Sequence, residues 1–210
     1  MVSYRDFTDP RTEAAGVADV HRALLAELQA APAADSTRPS RLPGWTVGHV
    51  ITHLARNADS HVALLAGDEQ YDEGWAGRYD AIDRGASRPW NELVDDLAES
   101  IDRIDSAYAE TESWDDTVGL LAGPQPAGFL PLARRRELEL HWVDLDLGRT
   151  LDDIPIDYVT RDLAMLEAWW IGKNRTTAMP AALAALQPRH RWCWLVGRAQ
   201  VDGVAPAALF

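Results

Sequence analysis

Two short stretches of the chain carry residues whose types and spacing could hold a metal ion. In the first, His49 and His53 stand four residues apart within a helical pattern, so only about 40° of rotation separates them. The flanking apolar residues place His53 beside the core-facing stripe. In the second, Arg134-Arg135-Arg136-Glu137-Leu138-Glu139-Leu140-His141, Glu137 and His141 share one helix face. Glu139 lies about 160° from His141 and must point elsewhere. Taken alone, each stretch has an ordinary structural explanation: a capping histidine with a half-buried one, and a solvated glutamate with a structural histidine. Taken together, two imidazoles and one carboxylate from facing helices form a three-ligand site with open coordination positions, which suits catalysis more than structure. Zinc is the default for this donor set, and nickel, iron and cobalt are compatible with it. Asp144 or His49 is the candidate partner for orienting a ligand imidazole.

These side chains need helices to carry them, and the sequence supplies the signals. Asp9-Pro10 reads as an N-cap followed by proline at the first helical position, and Val17, Val20, Leu24, Leu25 and Leu28 recur at helical spacing up to Ala31-Pro32. Thr46 caps a second helix with Val47, Val50, Ile51, Leu54, Ala58 and Val62 on one stripe, and Gly67 ends it. Residues 68–88 are polar without a clear period. A third helix starts at 87–89 and carries Leu93, Leu97, Ile101, Ile104 and Tyr108, residues 119–128 read as a loop, and a fourth helix runs from 130 to 147 and stops at Gly148. A fifth begins near Asp157 and frays near Lys173. Thereafter the tryptophan- and valine-rich stretch 191–196 suits a short strand, and Asp202-Gly203 a turn. The expected fold is mainly α, a four-helix bundle over residues 1–175 with a short, reduced α/β element over 176–210.

Composition narrows the function. The 210 residues hold 20 Lys+Arg against 33 Asp+Glu, a net charge of −13, which repels phosphate backbones and anionic lipid. Nucleic acid and membrane are therefore not expected as partners, and no apolar run reaches the length of a spanning helix. The N-terminal residues lack the pattern of a signal peptide. A single cysteine, Cys193, excludes a disulfide framework within the chain and a multi-cysteine metal site, and fits a cytoplasmic protein. Nine tryptophans have no compositional explanation, although Trp75 and Trp90 are candidates for a surface contact.

The stretch LPGWTVGHVITHLARNAD at 42–59, followed by RELELHWVDLDLG at 136–148, resembles the mycothiol-dependent maleylpyruvate isomerase family, within the wider group of DinB-like helical bundles. The resemblance covers about residues 10–175. It implies one zinc ion, or another divalent metal, held by His53, Glu137 and His141, while His49 matches a family histidine that is not a ligand. A thinner match at Gly197-Arg198 and Asp202-Gly203 implies a role for Arg198 in catalysis and in binding an anionic cofactor or substrate.

As the family implies, the metal activates the thiol of mycothiol, which the protein does not supply itself. The thiolate adds to the double bond of maleylpyruvate, the central bond rotates, and elimination returns the trans isomer. Arg198 would hold a carboxylate of the substrate or of mycothiol in bidentate fashion. Cys193, between two tryptophans, reads as a small packed hydrophobe. The alternatives are a mycothiol S-transferase acting on another electrophile and a metal-binding bundle without catalysis.

Overall fold

The computed structural model describes residues 4–31 and 35–209, which form two compact units. Pro32, where the first helix is expected to stop, lies outside the described residues.

The first unit spans residues 9–151. Its first helix, α1 (Pro10–Ala30), begins where Asp9 accepts a hydrogen bond from the Thr12 amide at 2.8 Å. Helix α2 (Val47–Ala66) opens with Thr46 and His49 in a reciprocal capping box and ends at Gly67, whose φ of 86° relieves the last turn. With α4 (Trp90–Glu110) and α5 (Leu130–Asp144) they close a ring in which α1 packs on α5, α5 on α2, α2 on α4 and α4 on α1. Val17, Leu24 and Leu28 of α1, Ile51 and Leu54 of α2, Leu97 and Ile104 of α4, and Leu138 of α5 fill the centre and are all fully shielded. The mainly α four-helix bundle expected from the sequence is the fold observed.

Two segments of this unit differ from expectation. The polar stretch 68–88 contains a further helix, α3 (Gly74–Gly85), which buries only Ile82 and so shows no period in sequence. Close backbone approach seats it against α2. A Cβ on Gly48 would lie 1.9 Å from the Ala86 carbonyl oxygen, and one on Gly85 would lie 2.4 Å from Thr52 Cγ2. The expected loop at 119–128 includes most of an antiparallel hairpin, β1 (Thr117–Leu120) with β2 (Gly123–Pro126), in the register Thr117 to Pro126 and Leu120 to Gly123. Its prolines hid the strands, because proline is a poor signal for a ladder although a two-stranded edge tolerates it.

The helices of the bundle are tied by polar bonds as well as by apolar packing. Arg134, on α5, has no solvent exposure. Its Nε donates to His21 Nε2 of α1 at 3.2 Å, and one terminal nitrogen donates at 2.8 Å to both the Leu54 carbonyl and Asn57 Oδ1 of α2. His21 Nδ1 in turn meets Asp105 of α4 at 2.8 Å. All four helices therefore meet in one chain of hydrogen bonds. Burial lowers the Arg134 pKa to about 10, which still leaves it a cation at neutral pH. Nearby, His61 Nδ1 pairs with the Tyr108 hydroxyl at 2.9 Å.

The second unit comprises residues 152 onward together with the N-terminal residues through Thr8. Here α6 (Ile156–Asn174) packs on α8 (Pro188–Leu195), with the short α7 (Ala181–Ala184) between them in sequence. The compositional boundary at 175 falls at the end of α6. The expected strand at 191–196 is instead helical. Pro188 sits at the start of α8, and Gly197, at φ 72°, lets the Arg198 amide reach the Cys193 carbonyl at 2.7 Å and its own amide reach Trp194 at 3.2 Å. Proline inside the start and glycine past the end outweigh the strand preference of tryptophan and valine. Trp192 donates from Nε1 to buried Asp162 at 2.8 Å, and Trp194 meets Trp170 edge-on at 5.8 Å. Five of the nine tryptophans are core residues, among them Trp90, which is thereby removed as a surface candidate, while Trp75 is 52% exposed. The turn expected at Asp202-Gly203 is present, closed by a bridge between Val201 and Val204. Among the described residues no helix is long and apolar enough to cross a membrane.

Arg134→Met removes the donor that serves three buried acceptors and should cost about 3 kcal/mol or more in urea denaturation. A loss below about 1 kcal/mol would show that apolar packing alone sets the bundle. Acid should also destabilise the metal-free protein. Burial first, then Arg134, depresses His21 to about 4, against the pull of Asp105, and depresses His61 to about 3. Below the ordinary imidazole pKa the unfolded chain takes up protons that the folded chain refuses, so stability falls as pH falls from about 6.5 towards 4. The expected slope approaches roughly 1.4 kcal/mol per pH unit for each histidine. Equal denaturation midpoints at pH 7 and pH 5 would contradict it.

Candidate metal centre

Helices α2 and α5 lie side by side because their apolar stripes share the core and because Arg134 bonds α2 at Leu54 and Asn57. His53 precedes Leu54 on α2, and Glu137 follows Arg134 by one helical turn on α5. The bond that fixes the two helices thus sets His53 against Glu137. His53 Nε2 lies 2.8 Å from Glu137 Oε2, and His141 Nε2 lies 3.2 Å from the same oxygen. The two imidazole rings stand 4.7 Å apart and nearly perpendicular. One atom from each residue falls within 4.8 Å of the others, and among the described residues this set stops at three.

Exposure differs across the three. The His53 side chain is 3% exposed and that of His141 13%, while Glu137 keeps 36%. The centre therefore has a closed side against the core and an open side at the carboxylate. Burial pushes the Glu137 carboxyl up, but hydrogen bonds with His141 and His53 overcome it and hold the group well below the usual range. His53 is driven down to about 4 by burial, against the pull of Glu137. His141 is also penalised by burial, yet its bonds to Asp144 and Glu137 raise it on balance. An ionised carboxylate beside a neutral imidazole is the state a metal ligand set requires.

The donors fit a divalent metal. Ligands about 2.0–2.1 Å from a tetrahedral zinc stand roughly 3.3 Å from one another, and the two nitrogen–oxygen separations here are slightly shorter than that. Asp144 Oδ2 accepts from His141 Nδ1 at 2.9 Å, which turns the Nε2 lone pair of that ring towards the centre. Of the two candidate orienting residues, Asp144 thus meets a candidate ligand ring and His49 does not. His49 Nδ1 accepts from the Thr46 amide at 3.2 Å as part of the cap on α2, and its ring stacks on Trp45. Trp45 also turns an edge towards His53 at 5.5 Å. His53 Nδ1 faces Arg78 of α3 at 3.1 Å.

Glu139 points away from the centre, as helical rotation requires. It is fully buried and pairs with Arg149 at 2.5 Å and with Arg135 at 3.7 Å. Arg198 is half-buried in the second unit, at the end of α8. Sequence reasoning missed Arg134, His21, Asp105 and Arg78. Arg134 belongs to a run of three arginines that looks solvated, and α3 gave no periodic signal to mark Arg78.

Residues 17–146 match the family described as the mycothiol maleylpyruvate isomerase N-terminal domain. The fold is similar to the crystal structure of the mycothiol-dependent maleylpyruvate isomerase, with a TM-score of 0.76 and 25% identity over 95% of this chain and 93% of that one. It is equally similar to a structure of a histidine-to-alanine mutant of that enzyme, at 24% identity and a TM-score of 0.76. No curated protein matches the sequence significantly. The matched segment takes in both helices that carry His53, Glu137 and His141, and it covers well over half of the chain. On that match, the chain belongs to the mycothiol maleylpyruvate isomerase family.

Proposed function

We propose that the chain is a metal- and mycothiol-dependent enzyme that isomerises a cis-enedioic acid of the maleylpyruvate type to its trans form. The observation that carries this reading is the convergence of two imidazoles and one carboxylate within 4.8 Å, on two helices inside the segment that matches the family. His53, Glu137 and His141 would hold zinc or another divalent metal, and Arg198 would hold a carboxylate of the substrate or of mycothiol. When bound, the metal supplies the Lewis acidity that favours the thiolate form of an external thiol, and mycothiol supplies that thiol.

The chain's own residues set the conditions for this chemistry. Three protein ligands leave positions open, and the partly exposed edge of Glu137 keeps that side accessible. Asp144 keeps the His141 proton on Nδ1 and its Nε2 free to coordinate. The rings of Trp45 and His141 pack about His53 and fix its orientation. Cys193 is not the reacting thiol. It is 5% exposed, and burial pushes its pKa up, which opposes the thiolate that attack requires. With a net charge of −13 the protein offers a dianion no general attraction, so recognition falls to local cations.

His53→Ala should abolish stoichiometric zinc, and Glu137→Gln should weaken zinc binding by about tenfold or more. Glu139→Gln should retain zinc, although it disturbs a buried ion pair and should lower the melting temperature. Zinc titrations with melting curves separate these effects, and equal zinc losses from both glutamate variants would contradict the assignment. Turnover should stop when mycothiol is omitted and should persist in Cys193→Ser. Arg198→Lys should lower kcat/KM without changing zinc content, since lysine keeps the charge but loses the planar fork. Full activity without thiol would overturn the reading, and net consumption of thiol with substrate would favour an S-transferase.

A further inference from the structure

Arg78 occupies a position that the metal reading alone leaves unexplained. Its guanidinium stands 3.1 Å from His53 Nδ1. Guanidinium groups only donate hydrogen bonds, so Nδ1 must accept here, and in the neutral ring the proton then sits on Nε2, facing Glu137. A metal on Nε2 requires the opposite tautomer, with the lone pair on Nε2 and the proton on Nδ1. The Arg78–His53 bond and a metal at Nε2 therefore exclude one another. His141 shows the contrast, because its Nδ1 faces the carboxylate of Asp144, an acceptor suited to the metal-binding tautomer.

The remaining surroundings of Arg78 say what it would do once released. Its guanidinium lies 5.9 Å from the ring centre of Trp75 and 5.2 Å from that of Tyr79. Both rings are 52% exposed. Among the described residues no carboxylate pairs with Arg78, in a chain with 33 acidic residues and only 20 lysines and arginines. Neighbouring arginines are paired, as Arg56 and Arg88 are with Asp96 and Arg103 is with Asp59. An unpaired guanidinium beside an open centre, between partly exposed aromatic faces, has the fork geometry for a ligand carboxylate.

We infer that Arg78 holds His53 in the tautomer of the metal-free protein, and that metal loading frees its guanidinium to bind a carboxylate of the ligand at the centre. This deepens the proposed function and rests on its three-ligand site. Arg78 is thereby a specificity residue on α3, inside the first unit and independent of Arg198.

The test is calorimetric and does not need turnover. Zinc is titrated into metal-free wild type, Arg78→Ala, Arg78→Lys and His53→Ala, and maleate, a cis-enedioate, is then titrated into the zinc-loaded proteins. Arg78→Ala should bind zinc about tenfold more tightly than wild type, because a competing charge-assisted hydrogen bond and a like charge are both removed. Arg78→Lys keeps the donor and the charge and should stay near wild type for zinc. Maleate should bind loaded Arg78→Ala at least about tenfold more weakly than loaded wild type, with Arg78→Lys between them. A purely structural Arg78 would lower the melting temperature without tightening zinc. Unchanged zinc affinity in Arg78→Ala, or unchanged maleate affinity, overturns the inference while the metal site stands. Zinc uptake by His53→Ala equal to that of wild type overturns the metal site itself, and the inference with it.

Discussion

A guanidinium with no access to water depends on partners inside the protein, and Arg134 bonds α1 through His21 and α2 through Leu54 and Asn57, while His21 carries the chain of bonds on to Asp105 of α4. Apolar stripes bring helices together but tolerate sliding by a fraction of a turn. Hydrogen bonds from a buried cation do not, because each lost bond strands a desolvated donor or acceptor. Arg134 stands three residues before Glu137, and Leu54 directly follows His53. The bond that closes the bundle is thus one turn from the centre and fixes its geometry. A charged residue thus joins the apolar core in setting helix register.

The same arrangement occurs twice with different outcomes. Asp105, His21 and Arg134 place an imidazole between a carboxylate and a guanidinium, and so do Glu137, His53 and Arg78. In both, the guanidinium and the carboxylate face opposite nitrogens of the ring. The first triad is sealed at its cation, and its bonds serve structure. The second opens at its carboxylate and carries a second imidazole, His141, on the same oxygen. Exposure and one additional nitrogen separate a structural relay from a candidate metal site. Asp144 extends the second triad to a line of alternating partners along α5 and across to α2 and α3.

The acidic composition gives these local cations their importance. A surface with a net charge of −13 repels anions at long range, so binding of an anion would fall to arginines kept out of ion pairs. Several arginines of the first unit are committed to carboxylates. Arg56 and Arg88 converge on Asp96, and Arg149 closes on Glu139 while lying 4.0 Å from the Trp142 ring. Helix α3 carries Arg78, which meets an imidazole rather than a carboxylate. It is seated by Gly48 and Gly85, where any side chain would meet backbone or Thr52, so small residues on two helices decide where Arg78 stands.

By itself the sequence determined the four long helices of the bundle, because caps and apolar periodicity are local: Asp9 with Pro10, Thr46, and Gly67 mark ends that the structure keeps within a residue or two. It also determined that Glu137 rather than Glu139 faces His141, since helical rotation leaves no choice. Tertiary structure decided what local signals could not carry. Helix α3 buries one residue and is held by glycine contacts, so it has no period to read. The stretch 191–196 has the composition of a strand, yet its ends, Pro188 and Gly197, close a helix whose tryptophans are buried by α6. The charged run at 134–139 reads as solvated surface, yet Arg134, Arg136 and Glu139 are buried. Burying Arg134 depends on partners far along the chain, in α1 and α2, and only the folded bundle brings those partners within hydrogen-bonding distance.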